Sequence, residues 1–100
     1  MKKLDSTRGS GNIFADLGFP PEEAAHLFIR STLMIHIRSA LAERSLTQKC
    51  AAEILGVSQP RVSDLYRRKL DRFSIDMLVR MLARLGITVE VKTKRAPKIA

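Results

Sequence analysis

The sequence predicts one mainly α-helical domain, a bundle of four to five helices that ends in a single β-strand. A chain of 100 residues with 45% apolar and 28% charged side chains suits one compact core. Apolar residues recur at helical spacing through most of it. Only residues 87–93 alternate branched apolar and polar residues at period two. We expect the domain to span residues 13–93, between a flexible arm (1–12) and a flexible basic tail (94–100).

The first half of the domain predicts a short apolar patch and a long helical region. The patch, residues 13–19, ends at two prolines, and Pro21 suits the first turn of a helix. Residues 21–43 contain no proline or glycine, so they form one long helix or two nearly continuous ones. Within them, residues 33–37 are apolar around most of the helix. This segment is either a central core helix or an interface for a partner or a second copy.

The second half predicts three helices, each preceded by a residue that caps helix N-termini. The caps and helices are Thr47 before residues 48–55, Ser58 before residues 59 to about 68, and Ser74 before residues 75–85. Gly56 supplies the positive backbone angle of a tight interhelical turn. Pro60 lies in a first turn, where its missing amide donor has no partner anyway. Cys50 stands among small apolar residues and is expected to pack against them.

The predicted strand, residues 87–93, has no partner strand within the chain. A lone strand leaves its backbone donors and acceptors unpaired, so the same strand of a second copy is the simplest partner. This predicts a homodimer in which Ile87, Val89 and Val91 contribute to dimerisation.

Residues 48–67 contain the most informative pattern of the chain, two short helices joined by a glycine turn. Helices that cross steeply must approach closely, which requires a small residue at Ala52 and a glycine at Gly56. Five apolar residues are expected to point inward: Ala51, Leu55, Val57, Val62 and Leu65. Five polar side chains are expected to face outward: Gln59, Arg61, Ser63, Asp64 and Arg67. Such a helix-turn-helix presents a polar face that suits DNA.

The charge balance agrees with a nucleic-acid partner. The net charge is +8 and the isoelectric point about 10.4, which favours a polyanion, although a solvated basic surface is the alternative. One cysteine and two well-separated histidines predict no disulfide, no metal or catalytic cluster, no cofactor and no enzymatic activity. The absence of a leader sequence and of a long apolar stretch predicts a cytoplasmic protein without a membrane span.

The helix-turn-helix residues resemble the lambda-repressor/Cro-like, or Xre-type, family. The resemblance rests on Leu46-Thr47-Gln48, Ala51-Ala52, Leu55-Gly56-Val57-Ser58-Gln59 and Val62-Ser63. Further segments, which include Asp16-Leu17-Gly18-Phe19 and Gly86-Ile87-Thr88-Val89, resemble the HigA-type antitoxin subgroup. This resemblance implies a dimer that represses its own operon and neutralises a RelE/HigB-like ribonuclease toxin. A stand-alone regulator without a toxin and a protein-binding adaptor are the alternatives.

The resemblance also implies residue roles on a palindromic double-stranded operator. The expected base-reading residues are Gln59, Arg61, Ser63 and Asp64. The expected phosphate-binding residues are Gln48, Lys49, Arg67, Arg68 and Lys69. Asp64 either accepts from a cytosine amino group or forms a salt bridge with Arg61 or Arg68.

Overall fold

The computed structural model describes residues 11–95, which form five α-helices and one 3-10 turn. The elements are α1 (Ile13–Asp16), α2 (Pro21–Arg44), α3 (Gln48–Leu55), α4 (Gln59–Tyr66), the 3-10 turn (Leu70–Arg72) and α5 (Ile75–Arg84). The predicted long region is therefore one continuous helix. Most of the predicted arm (residues 1–10) and most of the predicted tail (residues 96–100) lie outside the described residues.

Helix α1 forms within the apolar patch, where the sequence predicted no helix. The side chain of Asn12 accepts hydrogen bonds from the backbone amides of Phe14 and Ala15, and its Nδ2 donates to the carbonyl of Ala24 at 3.0 Å. The rings of Phe14 and Phe19 meet edge to face, 6.0 Å apart. These contacts fold α1 back onto the first turns of α2, and they place Asn12 in the domain rather than in the arm.

The core lies between α2 and the three later helices. Its fully buried side chains include Ile37 and Leu41 of α2 and Leu78 of α5. Helices α3 and α4 contribute the inward-facing residues that the sequence predicted: Ala51, Leu55, Val62 and Leu65 are buried, and Val57 is half-buried against the core. Burial of each large aliphatic side chain stabilises the fold by roughly 1.5–3 kcal/mol. Because this burial fixes one face of α3 and α4, their opposite faces are available to a partner.

The predicted N-caps are confirmed. The hydroxyls of Thr47, Ser58 and Ser74 each accept a hydrogen bond from the backbone amide three residues later. The prediction for Cys50 was wrong, because its side chain is exposed. At 100° per residue, Cys50 falls on the side of α3 opposite its buried residues, so a run of small apolar residues did not imply burial.

The segment after α5 contains no strand in the single chain, and residues 11–95 contain no other strand. The amide of Ile87 donates to the carbonyl of Leu82 at 2.9 Å, and within the described residues no further backbone hydrogen bond involves residues 88–95. Ile87 and Val89 pack against the core, whereas Val91 is 84% exposed. The sequence predicted a strand that pairs with a second copy, and a single chain offers no neighbouring strand. The strand and its pairing therefore stay a prediction.

Candidate nucleic-acid interface

The turn between α3 and α4 sets the angle of the helix-turn-helix. Gly56 ends α3 with φ of 71°, and the amide of Val57 returns to the carbonyl of Ala52 at 3.0 Å. A Cβ added to Gly56 would lie 2.7 Å from Cζ of Arg84 in α5. The sequence predicted that Gly56 needs its positive φ and lies at a close approach. It did not predict that the neighbour is Arg84, since that contact joins residues far apart in the chain.

Helix α4 is anchored by one face and open on the other. Val62 and Leu65 have no exposed surface. At 100° per residue, Pro60 and Arg67 point most directly away from them. Ser63 and Asp64 lie on either side of this outward direction. Gln59 and Arg61 lie further round the helix, at the two edges of its outward face. Gln59, Pro60 and Arg67 are exposed, and the other three are partly buried. The structure thus places Ser63 and Asp64 on the outward side of α4, with Gln59 and Arg61 at its two opposite edges.

Two of those four residues are engaged by the protein itself. A guanidinium nitrogen of Arg61 donates to the carbonyl of Arg72 at 2.9 Å. The carboxylate of Asp64 lies 3.6 Å from a guanidinium nitrogen of Arg72. The sequence allowed a salt bridge from Asp64 to Arg61 or Arg68, and the structure places it on Arg72 instead. Arg72 is half exposed and adjoins the polar face of α4, a position that the sequence did not indicate.

The predicted phosphate-binding residues flank α4 on two sides. Gln48 and Lys49 are exposed in the first turn of α3. Arg67, Arg68 and Lys69 follow the last turn of α4, and the first two are exposed. Within residues 11–95, the ion pairs are Arg72 with Asp64 and Arg80 with Asp76. The basic residues that flank α4 therefore form no ion pair with another residue of the described range, and their positive charge suits a polyanion.

The predicted dimerisation residues do not share one environment. Ile87 and Val89 line a cleft of about 230 Å³ together with Thr32 and His36 of α2. Val91 points away from the core. Val91 is 84% exposed, so this end of the segment presents an apolar side chain to solvent.

Among residues 11–95, no group of three or more His, Cys, Asp and Glu side chains is placed to hold a metal ion. None of the helices in this range has the length and apolar character needed to cross a lipid bilayer.

The helix-turn-helix geometry has counterparts among known proteins. A family model described as a helix-turn-helix domain matches residues 13–94, a span that contains all five helices. A solved structure described as an XRE-family transcriptional regulator is similar, with a TM-score of 0.69 and 30% sequence identity. The similarity covers 76% of this chain and 85% of that chain. No curated protein matches the sequence.

Proposed function

The chain belongs to the helix-turn-helix domain family, and from this premise we propose that it represses transcription by binding a palindromic operator as a homodimer. One observation carries the proposal. Helix α4 is fixed by the buried Val62 and Leu65, and its polar side lies between basic residues that form no ion pair within residues 11–95. A protein scaffold has no need of this combination, whereas a DNA-reading helix requires both parts.

In this proposal, Gln59 and Ser63 make the direct contacts to bases. An α-helix fits the major groove, and a glutamine can form two hydrogen bonds with adenine. Ser63 lies one turn further along on the same side of α4. Pro60 is exposed between them and has no side-chain donor. Its ring can make only an apolar contact, for which the methyl group of thymine is the natural partner.

Arg61 and Asp64 contact bases in this proposal only after they exchange internal partners. Arg61 would leave the carbonyl of Arg72 for the acceptors of a guanine. Asp64 would leave the guanidinium of Arg72 for a cytosine amino group. In each exchange the DNA supplies the hydrogen-bonding function that Arg72 supplies in the free protein. The carbonyl and guanidinium of Arg72 lose these partners, and because Arg72 is exposed, water can take their place.

The phosphate contacts come from both sides of α4. Gln48 and Lys49 would hold one stretch of backbone at the start of α3, and Arg67, Arg68 and Lys69 would hold another beyond α4. These contacts add affinity and fix the orientation of α4, without reading sequence.

The homodimer would form through the segment after α5. Its backbone has no hydrogen-bond partner between Thr88 and Val91 within the described chain. Unpaired backbone of this kind is a template for a second strand. A two-fold pair of identical segments would supply backbone hydrogen-bond partners to both copies at once. The same symmetry would present the two α4 helices to the two half-sites of an operator.

The finer role that we propose is that of an antitoxin, which acts in the cytoplasm, represses its own operon and neutralises a RelE/HigB-like toxin. It rests on the resemblance to the HigA-type subgroup. Exposed apolar side chains on α2 and at the end of α1, among them Phe28, Ile35 and Leu17, supply surface for such a partner. Co-expression with the product of a neighbouring reading frame tests this role. If no neighbouring product is toxic or co-purifies, a stand-alone regulator is the better description.

Selection from random DNA tests the DNA-binding proposal. We expect a site with two-fold symmetry, and we expect Gln59→Ala to cost ~1–3 kcal/mol and to relax preference at one base pair of each half-site. Gln48→Ala is the matched control, because loss of a phosphate contact should weaken all sequences alike. An unchanged base preference in Gln59→Ala, or the absence of a selected site, would contradict the proposal.

A further inference from the structure

A groove with two arginines lies between α2 and the chain that follows α4. It encloses about 340 Å³ and is lined by Ser31, Met34, Ile35, Arg38, Arg68 and Leu70. We call it the arginine groove. Four of its residues belong to α2, and the other two follow the last turn of α4. Its apolar surface comes from Ile35, which is 50% exposed, and from the partly buried Leu70, since Met34 is only 2% exposed.

The charge of the arginine groove is unbalanced. None of its lining residues is acidic. The Nε of Arg38 is buried and has no hydrogen-bond partner among the described residues. A buried donor on a charged group is costly when unpaired, and a guanidinium is best satisfied by two parallel hydrogen bonds to a carboxylate or phosphate.

The backbone at Arg68 holds this residue beside the groove in a conformation that side chains rarely adopt. Its φ is 60°, although it is not a glycine. Its amide donates to the carbonyl of Leu65 at 3.1 Å, and its carbonyl accepts from the amide of Leu70 at 3.0 Å. Together with the hydrogen bond from the amide of Lys69 to the carbonyl of Asp64 at 3.1 Å, these contacts form a common left-handed helix end, which fixes where Arg68 leaves α4.

We propose that the arginine groove binds an acidic amphipathic segment of a partner protein. An aliphatic or aromatic side chain of that segment packs against Ile35 and Leu70, and a neighbouring carboxylate pairs with Arg38 and Arg68. The carboxylate supplies acceptors for the guanidinium of Arg38, a residue that lines the groove. The chain as a whole, at a net +8, also attracts acidic partners over long range.

The surface beside the groove favours a protein segment over a small carboxylate. Phe28 and Ile35 are 40% and 50% exposed, and they lie seven residues apart on α2. This spacing puts them on one face, two turns apart. The apolar strip thus extends past the groove, further than a small molecule reaches. An amphipathic segment would cover the strip and place its carboxylate in the groove together.

Binding at this groove would also affect operator binding, a consequence that rests on the proposed function. Arg68 lines the groove and also belongs to the basic group proposed to hold DNA phosphates. A carboxylate that engages Arg68 withdraws it from the phosphate backbone. The acidic segment and the operator therefore compete, and each raises the apparent Kd of the other.

The direct test uses the full chain without DNA and a labelled, capped helical peptide of about fourteen residues. The peptide carries leucines at helical spacing along one face and glutamates beside them. Fluorescence anisotropy should show binding that Arg38→Ala and Arg68→Ala each weaken about tenfold. Ile35→Ser, a change at an exposed position, should weaken it less. Arg80→Ala is the matched control, because Arg80 is exposed, pairs with Asp76 and lies outside the groove.

The outcomes separate this proposal from its alternatives. Equal loss in Arg80→Ala, or equal binding of a scrambled peptide, would show attraction to net charge alone and overturn the groove. Binding of decanoate with no binding of the peptide would identify a small-molecule site and overturn the protein-segment proposal. Arg38→Ala should keep its affinity for DNA. If the chain bound the peptide but no operator, the proposed function and the competition with DNA would both be refuted. The proposal that the arginine groove binds an acidic segment would still be supported.

Discussion

The guanidinium of Arg61 lies over the ring of Phe73, with Cζ 5.6 Å from the ring centroid. Arg61 is in the first turn of α4, whereas Phe73 is a buried residue beyond the 3-10 turn. The same guanidinium donates a hydrogen bond to the carbonyl of Arg72. The guanidinium of Arg72 in turn pairs with the carboxylate of Asp64. Helix α4 and the turn that follows it are thus joined at two places in the free protein.

The contact between Arg61 and Phe73 predicts a cost in stability that is independent of DNA. Arg61→Ala removes a stacking contact and a hydrogen bond to Arg72, each worth about 0.5–1.5 kcal/mol. We expect the free energy of unfolding, measured by urea titration, to fall by about 1–2 kcal/mol. Arg61→Lys keeps the charge and loses the flat guanidinium, so it should recover only part of this loss. Full recovery with lysine would show that charge alone is responsible.

Replacing Gly56 with alanine should destabilise the fold through two effects, backbone strain and a contact with Arg84, and the backbone strain should be the larger. Gly56→Ala forces a side chain into the left-handed region, at about 1–2 kcal/mol. The new Cβ also meets the guanidinium of Arg84, but this is the end of a flexible side chain and can move away. We expect the backbone cost to dominate the loss of unfolding free energy in denaturant titrations.

Two comparisons test whether the backbone strain at Gly56 outweighs the contact with Arg84. Gly86 has φ of 78° and no atom within 4 Å of an added Cβ, so Gly86→Ala should cost nearly as much as Gly56→Ala. In the double variant Gly56→Ala/Arg84→Ala, most of the loss of unfolding free energy that Gly56→Ala causes should persist. If the double variant restored stability, the contact with Arg84 would be the dominant effect instead.

The parts of the fold that local rules determine were predictable. Helix α3 has the predicted bounds, and α4 and α5 begin at the predicted residues, because Thr47, Ser58 and Ser74 act on backbone amides three residues away. Gly56 was predictable for the same reason, since one residue decides the local backbone angle.

The features that the sequence did not predict depend on contacts between distant residues. Helix α1 has only four residues, too few for a visible period, and it depends on the bond from Asn12 to Ala24. Arg61 and Phe73 are twelve residues apart and meet only because the 3-10 turn brings them together. The pairing of Asp64 with Arg72 has the same origin, so charge pattern within α4 alone suggested the wrong partner.

The basic residues beyond α4 predict a dependence on salt. Arg67 is exposed and forms no ion pair within residues 11–95. Arg67→Ala should therefore weaken binding to all DNA sequences alike and lower the slope of log Kd against log salt by about one unit. Arg80→Ala is the control, because Arg80 lies on α5 and pairs with Asp76 at 3.4 Å. Selective loss at one base pair would show instead that Arg67 reads sequence.

The segment after α5 predicts that one backbone amide decides the oligomeric state. Thr88 is exposed, so Thr88→Pro removes a donor from the proposed strand pair and disturbs little packing. We expect Thr88→Pro to give a monomer by light scattering and to bind the operator weakly, because two half-sites are no longer held together. Thr88→Ala keeps the amide and should remain a dimer. A dimer of unchanged mass in both Thr88→Pro and Val89→Pro would place the two-fold contact elsewhere, since neighbouring amides point to opposite edges of a strand and one of these two must therefore be bonded.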